Sequence, residues 1–267
     1  MSYSFNEKRI VLTGASSGIG EALACQLAAE GARLVLAART VDKLEQVAQR
    51  CKEAGTAALA VPTDVSQEDQ CNELVSIAVD QLGGLDGIIL NAGISMWARF
   101  DEVTDSSIFR QLMAVNYFGA LYCLRAALPH LKETRGRIAA MSSAAGKTGA
   151  PLHSGYAASK HALTGLLESL RTELVGSGIR ITLLYPEFVR TGIRLHGFQG
   201  DGSHPASDPF DDSAGMSAEE TARIALRAIR KGKREELFIP LMKIGNLARP
   251  FIPGVIDSIA RKKVGLA

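Results

Sequence analysis

Short runs of consecutive apolar residues recur along the chain, separated by longer segments in which apolar positions have helical spacing. The apolar runs lie at 9–12, 33–38, 57–61, 87–90, 137–141, 180–184 and 236–239. Continuous apolar runs of this length are typical of strands covered on both faces. The segments with helical spacing lie at 18–30, 41–54, 67–82, 105–131, 155–176 and 217–231. The pattern therefore predicts seven strands that alternate with six helices.

Strands that alternate with helices pair in parallel, because each helix carries the chain back across one face of the sheet. We expect an α/β fold, a single doubly wound Rossmann-type domain over residues 1–267 with a seven-stranded parallel sheet. The alternative is a closed barrel of eight strand–helix units. It is disfavoured because about seven units are visible.

Two segments depart from the alternation. Residues 192–215 are rich in Gly, Asp, Ser and Pro and follow the sixth predicted strand. Open α/β sheets bind ligands at the carboxyl ends of their strands, so we interpret this loop as a substrate lid, with a passive insertion as the alternative. Residues 241–267 form an apolar tail that ends in a basic cluster. We expect it to pack on the body or a partner subunit, with membrane-surface contact as the alternative.

Composition is that of an ordinary globular protein. The 267 residues are 46% hydrophobic and 22% charged, and the formal net charge is +2. So small a net charge disfavours nonspecific electrostatic binding to nucleic acid, and we expect no nucleic-acid partner. Residues 1–9 are polar, and no run of about 18 apolar residues occurs. We therefore expect neither a signal peptide nor an integral membrane segment.

The cysteines bear on metals and compartment. Cys25, Cys51, Cys71 and Cys123 are far apart in the sequence and form no Cys-x-x-Cys pair. This spacing fits neither a disulfide framework nor a zinc site, and we expect no metal. Free thiols suit a reducing compartment, which favours a cytoplasmic location.

A glycine-rich segment joins the first predicted strand to the first predicted helix. It reads Thr-Gly-Ala-Ser-Ser-Gly-Ile-Gly over residues 13–20. Glycines let the backbone approach a pyrophosphate, and a helix N-terminus supplies N–H donors and positive potential. The segment therefore predicts a dinucleotide-binding loop, with a simple tight turn as the alternative. Its predicted binding residues are Gly14, Ser16, Ser17, Gly18, Ile19 and Gly20.

The end of the second predicted strand bears on the choice between NAD and NADP. An acidic residue there would accept hydrogen bonds from the adenosine ribose, whereas a basic residue accommodates a 2′-phosphate. Ala38 is followed by Arg39, and no acidic residue occurs at this strand end, so we expect NADP(H) as the cofactor. The alternative is that Arg39 is only a solvated surface charge. Asp64 and Val65 follow the third strand at the same edge. Asp64 either bonds the adenine amino group or caps a helix.

Tyr156 and Lys160 are four residues apart in a predicted helix, which places them on one face about one turn apart. An ammonium beside a phenol favours phenolate and lowers the tyrosine pKa from about 10. A tyrosine so placed is a usable acid or base near neutral pH. The pair alone is a weak signal.

Together these motifs resemble the short-chain dehydrogenase/reductase family, which binds a nicotinamide cofactor on a Rossmann-type fold. The resemblance covers roughly residues 8–192. The sequence is most similar to the NADP-preferring branch that reduces steroids and lipids. The further matches, in the family's order, are Asn91, Ala92 and Gly93 after the fourth strand, Asn116 in the fourth helix, and Ser143 thirteen residues before the tyrosine.

The resemblance implies a catalytic role for four residues. Tyr156 would donate a proton to the substrate carbonyl in reduction and accept it back in alcohol oxidation. Ser143 would hydrogen-bond to the same oxygen and stabilise its developing charge. Lys160 would lower the tyrosine pKa and hold the nicotinamide ribose. Asn116 would position a water that relays protons to Lys160.

The segment after the sixth strand both matches the family and departs from it. The family usually reads Pro-Gly-x-Val-x-Thr, and residues 186–191 read Pro-Glu-Phe-Val-Arg-Thr. Val189 and Thr191 match positions that meet the nicotinamide amide and the phosphates, whereas Glu187 replaces a glycine and has no implied role. The other cofactor-binding residues that the resemblance implies are Asn91, Ala92, Gly93, Tyr156, Lys160 and Pro186.

The predicted substrate walls are mostly apolar, since they include Met96, Trp97, Leu152 and Phe188. This set favours a bulky or lipophilic ketone or aldehyde, although such residues also fill ordinary cores. His153 either lines the pocket or is a surface histidine.

The resemblance also implies a homodimer or homotetramer. Taken together, the sequence predicts an NADPH-dependent carbonyl reductase that acts on a small-molecule carbonyl or alcohol. The alternatives are an NAD-linked alcohol dehydrogenase and a non-catalytic NADP(H)-binding regulator.

Overall fold

The computed structural model describes residues 3–207, 215–239, 245 and 251–265. Within these residues seven parallel strands form one sheet in the order β3-β2-β1-β4-β5-β6-β7. The strands are β1 Arg9–Thr13, β2 Arg33–Ala38, β3 Ala58–Pro62, β4 Gly87–Leu90, β5 Arg137–Met141, β6 Arg180–Tyr185 and β7 Glu235–Leu237.

Helices connect the strands. The α-helices of the described residues are α1 Gly18–Ala29, α2 Val41–Glu53, α3 Glu68–Leu82, α4 Ser107–Met113, α5 Gly119–Thr134, α6 Ser154–Glu173, α7 Ala218–Arg230 and α8 Pro253–Lys263. Shorter helical turns are the 3₁₀ turns Phe100–Glu102 and Ala144–Gly146 and the π-helical turn Ala114–Phe118.

Both faces of the sheet are covered, which explains the continuous apolar runs. In β1, Ile10 and Leu12 belong to a core that includes residues of α1, α2 and α7. Val11, between them, belongs to a second core with residues of α3, α5 and α6. Successive side chains of a strand alternate between faces, so a strand with a core on each side must be apolar throughout. The predicted doubly wound fold is confirmed.

The predicted helix at 105–131 is wrong as a single regular element. α4 ends at Met113, the turn Ala114–Phe118 has π-helical hydrogen bonding, and α5 follows at once. A π turn inserts one extra residue and rotates the side chains that follow it, which local periodicity does not signal. It carries Asn116, which is 1% exposed. Other predicted element ends differ from the observed ones by up to three residues.

The strand order reverses direction between β1 and β4. From β1 the chain builds outward to β2 and β3, and then it returns to place β4 on the other side of β1. Connections therefore leave β1 and β4 toward opposite sides and open a crevice at their carboxyl ends, where open α/β sheets bind ligands. The glycine-rich loop after β1 and residues 91–93 after β4 both emerge at this crevice.

Candidate active site

The loop after β1 is fastened to the end of β4. The Thr13 hydroxyl accepts hydrogen bonds from the backbone N–H groups of Asn91 and Ala92 at 3.0 and 3.1 Å. In return, the Asn91 amide donates to the carbonyl oxygens of Thr13 and Gly14, both at 3.1 Å. These bonds hold both sides of the crevice in one fixed arrangement.

At two glycines of this segment the backbone approaches another part of the backbone so closely that a side chain would not fit. Gly14 has φ +67°, and a Cβ there would lie 2.7 Å from the Cα of Ala92. A Cβ on Gly20 would lie 1.9 Å from the carbonyl oxygen of Gly14. The backbone therefore closes tightly on itself and leaves the N-terminus of α1 open, which suits a phosphate group.

The loop after β6 reaches the same helix N-terminus. A Cβ on Gly18 would lie 3.0 Å from the methyl carbon of Thr191. Thr191, predicted to meet the cofactor, thus lies beside the glycine-rich loop although 173 positions separate them along the chain.

A cavity of about 860 Å³ runs along the carboxyl edge of the sheet. Every residue predicted to bind the cofactor lines it, as do three of the four predicted catalytic residues. The cofactor-binding set comprises Gly14, Ser16, Ser17, Gly18, Ile19, Gly20, Arg39, Asp64, Val65, Asn91, Ala92, Gly93, Pro186, Val189 and Thr191, and the catalytic residues that line it are Ser143, Tyr156 and Lys160. The structure thus gathers residues from six loops and from helices α1 and α6 around one space.

Arg39 and Asp64, which follow β2 and β3, both line this cavity but differ in the contacts that they make. Arg39 is exposed and takes part in none of the ion pairs among the described residues. Asp64 caps the turn that leads to α3, because its Oδ1 accepts hydrogen bonds from the backbone N–H and the hydroxyl of Ser66 at 3.0 and 2.8 Å. The N-cap position of α3 is Gln67, so Asp64 stabilises the preceding turn and does not cap the helix itself. Asp64 also lines the cavity, and its contact with an adenine amino group stays a prediction.

Ser143 and Tyr156 meet at the floor of the cavity. Ser143 directly follows β5, and its hydroxyl accepts a hydrogen bond from the N–H of Ala145 at 3.2 Å. Tyr156 is in the first turn of α6. Burial raises the pKa of Tyr156 above its ordinary value of 10.0, and a hydrogen bond with Ser143 opposes that rise in part. The phenol is therefore protonated at neutral pH.

Lys160 lies one turn further along α6 and is 3% exposed. Its Nζ donates a hydrogen bond to the carbonyl oxygen of Met141 at 2.9 Å and lies 5.7 Å from the centre of the Tyr156 ring. Burial lowers the pKa of Lys160 from 10.5 to about 8. Burial of the phenol raises the Tyr156 pKa in this structure, and the expectation that Lys160 lowers it stays a prediction.

Asn116 does not line the cavity and instead supports its wall. Its Nδ2 donates to the carbonyl oxygen of Ile94 and to the Ser159 hydroxyl, both at 2.9 Å, and its Oδ1 accepts from the N–H of Ile94 at 2.9 Å. Both side-chain donors are thus used within the protein. A Cβ on Gly93 would lie 3.1 Å from this Oδ1 and 3.3 Å from the Lys160 ammonium nitrogen. The predicted water relay through Asn116 stays a prediction.

The substrate side of the cavity has aromatic and aliphatic walls. The rings of Trp97 and His153 pack edge to face with centres 4.8 Å apart, and His153 is 5.9 Å from the ring of Tyr156. The sequence was compatible with His153 in the pocket or on the surface, and the structure places it in the lining of the cavity. Phe188 and Ile193 add apolar surface to the same walls.

Residues 192–207 form part of this wall and are pinned to the segment after β4. Phe198 accepts a hydrogen bond from the N–H of Trp97 at 2.8 Å and donates to the carbonyl oxygen of Ser95 at 3.0 Å. The Gly200 carbonyl accepts from the N–H of Thr104 at 2.9 Å. Of the predicted lid, residues 208–214 lie outside the described residues.

Helix α8 borders the cavity opposite the sheet. Its contributing side chains are apolar and are those of Val255, Ile256, Ile259 and Ala260. Val255 and Ile259 also remain 54% and 59% exposed. Within the predicted tail, residues 241–244, 246–250 and 266–267 lie outside the described residues. Composition revealed an apolar tail, but its place beside the cavity was not foreseen.

Comparison with known proteins decides the family. The family model described as short chain dehydrogenase matches residues 8–199. The chain belongs to the short-chain dehydrogenase family. The resemblance inferred from its motifs is thereby confirmed, and with it the chain's place among oxidoreductases.

Individual short-chain dehydrogenases resemble the chain over most of its length. "11-beta-hydroxysteroid dehydrogenase A" of Sesamum indicum is 34% identical over 260 residues, which is 95% of this chain and 74% of that protein. A short-chain dehydrogenase/reductase from Burkholderia phymatum, solved in complex with NAD, superposes with a TM-score of 0.84 and 26% identity over 95% of this chain and 96% of that one. An alcohol dehydrogenase from Thermococcus sibiricus, complexed with 5-hydroxy-NADP, gives a TM-score of 0.74 and 29% identity over 86% and 94%.

These short-chain dehydrogenases bind nicotinamide cofactors of both kinds, so the family alone does not choose between NAD and NADP. The chain spans 53% to 83% of the length of eight curated relatives that it matches. Among the described residues, no helix combines the length and the apolar character needed to cross a bilayer.

Proposed function

We propose that this short-chain dehydrogenase uses NADP(H) to reduce a carbonyl group of a lipophilic small molecule, or to oxidise the corresponding alcohol. The observation that carries the proposal is the contact of Ser143 with a protonated Tyr156, inside the cavity that also receives the glycine-rich loop. A proton donor and a second hydroxyl are what a carbonyl oxygen needs as it gains negative charge.

Each polar side chain has a distinct task in this reaction. When bound, the cofactor supplies the hydride that is added to the carbonyl carbon. Tyr156 donates its hydroxyl proton to the carbonyl oxygen in reduction and accepts it back in alcohol oxidation. Ser143 donates a hydrogen bond to the same oxygen. Lys160, charged below about pH 8, would hold the nicotinamide ribose of the bound cofactor.

Asn116 acts at one remove from the reaction. By bonding both backbone groups of Ile94, it fixes the segment that turns from Gly93 toward the substrate wall. Through Ser159 it is also tied to α6, since the Ser159 hydroxyl donates to the Tyr156 carbonyl oxygen at 2.7 Å. It therefore positions the helix turn from which Tyr156 reaches the cavity.

NADP(H) is favoured over NAD(H) by the end of β2. Ala38 there offers no carboxylate to a ribose hydroxyl, and Arg39 is an exposed guanidinium at the rim of the cavity. A guanidinium binds a phosphate through paired hydrogen bonds, which suits the 2′-phosphate.

The cavity walls favour a lipophilic substrate. Trp97, Phe188 and Ile193 line one end, and α8 adds aliphatic side chains opposite the sheet. Some of its sequence relatives bear hydroxysteroid dehydrogenase names, which agrees with this class of compound. We propose that residues 192–215 act as a lid over this end, and that 192–207 form its anchored part.

We also propose that the protein forms a homodimer or homotetramer through α5 and α6. Phe118 is 39% exposed and stacks on Tyr122 at 5.9 Å, which leaves an aromatic patch beside α5. Light scattering at micromolar concentration tests this, and a monomer would contradict it.

The cofactor assignment is tested by titrating the purified protein with NADPH and NADH while nicotinamide fluorescence is followed. We expect NADPH to bind at least tenfold more tightly, and Arg39→Ala to abolish that preference. Arg33→Ala, at the opposite end of β2, is the matched control and should leave the preference intact. Equal or NADH-favoured binding by the unaltered protein would overturn the NADP(H) assignment and favour an NAD-linked alcohol dehydrogenase.

A further inference from the structure

His153 occupies a distinctive place in the cavity. It immediately precedes α6, three residues before the proposed acid Tyr156. Its imidazole lies between the indole of Trp97 and the ring of Tyr156, with centres 4.8 and 5.9 Å away. A polar ring thus lies beside Trp97 and next to the reacting groups, in a cavity that Arg194 also lines.

The hydrogen bonding of His153 defines which ring nitrogen remains available. Nδ1 lies 3.0 Å from the carbonyl oxygen of Pro151. A carbonyl oxygen only accepts, so Nδ1 carries the hydrogen of this bond. Burial lowers the pKa of His153, as does the positive charge of Arg194, although the bond to Pro151 opposes them. The imidazole is therefore neutral at pH 7, and Nε2 carries a lone pair.

Nε2 has no hydrogen-bonding partner among the described residues, and the protein does not enclose it. The fully enclosed side-chain atoms without partners in this part of the chain are Tyr3 Oη, Arg171 Nε and Tyr185 Oη. Because His153 lines the cavity and Nε2 is not fully enclosed, this nitrogen is available as an acceptor to a ligand there. A ligand that covers this atom without donating a hydrogen bond leaves a desolvated acceptor unpaired.

We propose that His153 is a specificity-determining residue, whose Nε2 accepts a hydrogen bond from a hydroxyl or N–H group that the substrate carries in addition to its reacting carbonyl. The inference rests on the proposed function only in taking the cavity as the substrate site. It narrows the substrate class to lipophilic hydroxy-ketones, amino-ketones and their reduced forms. Sites built to bond a hydroxyl reject analogues that lack it far more strongly than apolar pockets reject a misplaced methylene.

The test compares ligands that differ in hydrogen-bond donation. The probes are 5-, 6- and 7-hydroxy-1-tetralone, the three corresponding methoxy-tetralones, and 1-tetralone itself. Hydroxyl and methoxy groups have similar electronic effects on the ketone, but only the hydroxyl donates. Trp97 is the single tryptophan of the sequence and contacts His153, so its fluorescence reports binding without requiring turnover. Titrations are run with and without NADP⁺.

We expect at least one hydroxy isomer to bind about tenfold more tightly than its methoxy counterpart. His153→Phe keeps an aromatic ring but removes the acceptor, and the ratio should fall to about one. His153→Gln restores a carbonyl acceptor and should recover part of the preference. The control is His161→Phe, because the Nδ1 of His161 also bonds a backbone carbonyl, that of Ala157, but the residue is exposed outside the cavity.

Two outcomes would overturn the inference: no hydroxyl preference at any position, or a preference that survives in His153→Phe. Assays of NADPH oxidation with the same probes separate this result from the proposed function. Hydroxyl-selective binding without reduction of any probe would support the inference and count against the reductase. Reduction without hydroxyl selectivity would do the reverse.

Discussion

The ammonium nitrogen of Lys160 donates a hydrogen bond to the carbonyl oxygen of Met141 at 2.9 Å. Met141 is the last residue of β5, and Lys160 is in the second turn of α6. The bond therefore ties the helix that carries the proposed acid to the strand end that precedes Ser143. It also holds a charged group at 3% exposure, where water solvates it poorly.

Replacing Lys160 by Met should stabilise the fold while it impairs catalysis. Burial lowers the pKa of Lys160 from 10.5 to about 8, so the folded protein holds this proton less tightly than the unfolded chain. The resulting penalty on folding is fully present below about pH 8 and vanishes above the unfolded pKa. We expect Lys160→Met to raise the free energy of unfolding at pH 7 by about 1–3 kcal/mol.

Denaturant unfolding of both proteins at pH 7 and at pH 10.5 checks this. The gain should shrink at the higher pH, where Lys160 is neutral in the folded protein and about half of it is neutral in the unfolded chain. A variant less stable than the parent at pH 7 would show that the bond to Met141 outweighs the desolvation of the ammonium.

Removal of the two hydroxyls should affect turnover and spare cofactor binding. Tyr156→Phe removes the proposed proton donor, and we expect kcat for carbonyl reduction to fall by roughly 10²–10⁴. Ser143→Ala removes one donor to the same oxygen and should cost roughly 10²–10³. The double variant should lose much less than the product of the two, because both residues act on one atom.

Steady-state kinetics with NADPH and a reducible probe ketone, beside NADPH titration of each variant, provides the measurement. Affinity for NADPH should stay within a few-fold of the parent. A Tyr156→Phe variant that keeps full turnover would remove Tyr156 from the mechanism.

Asn116 should be needed for both stability and positioning. Asn116→Leu is nearly isosteric and leaves both backbone groups of Ile94 and the Ser159 hydroxyl without their partner. Each unpaired buried group costs about 1–3 kcal/mol, and we expect a total loss of about 2–4 kcal/mol. Asn72→Leu on the exposed face of α3 is the control and should change stability by less than about 0.5 kcal/mol.

Urea unfolding measures the free energy of unfolding of these variants. The effect on kcat is measured separately, at a temperature at which both variants are fully folded. At that temperature Asn116→Leu should still show lower kcat, because the turn that carries Tyr156 loses its support through Ser159. Unchanged kcat in folded Asn116→Leu would make the residue purely structural.

The local pattern of the sequence determined the architecture. The run at 33–38 is apolar after Arg33 and forms β2 with those bounds, because a strand between two helical layers has no polar face. Glycines also marked the turns between elements, and Gly14 adopts a positive φ in the turn after β1. The family and most cofactor-binding residues followed from motifs whose order and spacing are visible without coordinates.

Other features depend on residues distant in sequence, and only the tertiary structure decided them. Asn116 looked like part of a regular helix, and its burial follows from the π turn and from bonds to Ile94 and Ser159. The sequence placed Lys160 one turn after Tyr156, but only the packing around them shows that both are buried and that burial shifts the pKa of each. Solvation depends on everything that surrounds a group, which the spacing of two residues does not contain.

The ring of His153 shows the same division. The sequence placed it three residues before Tyr156. Its neighbour Trp97 comes from the segment after β4, and its bond to Pro151 comes from the loop before α6. The local spacing of apolar residues determined which segments form helices and strands, because each type of element buries residues at its own spacing. The tertiary structure decided which nitrogen faces the cavity and which side chains surround it, because those contacts join segments that the chain itself keeps apart.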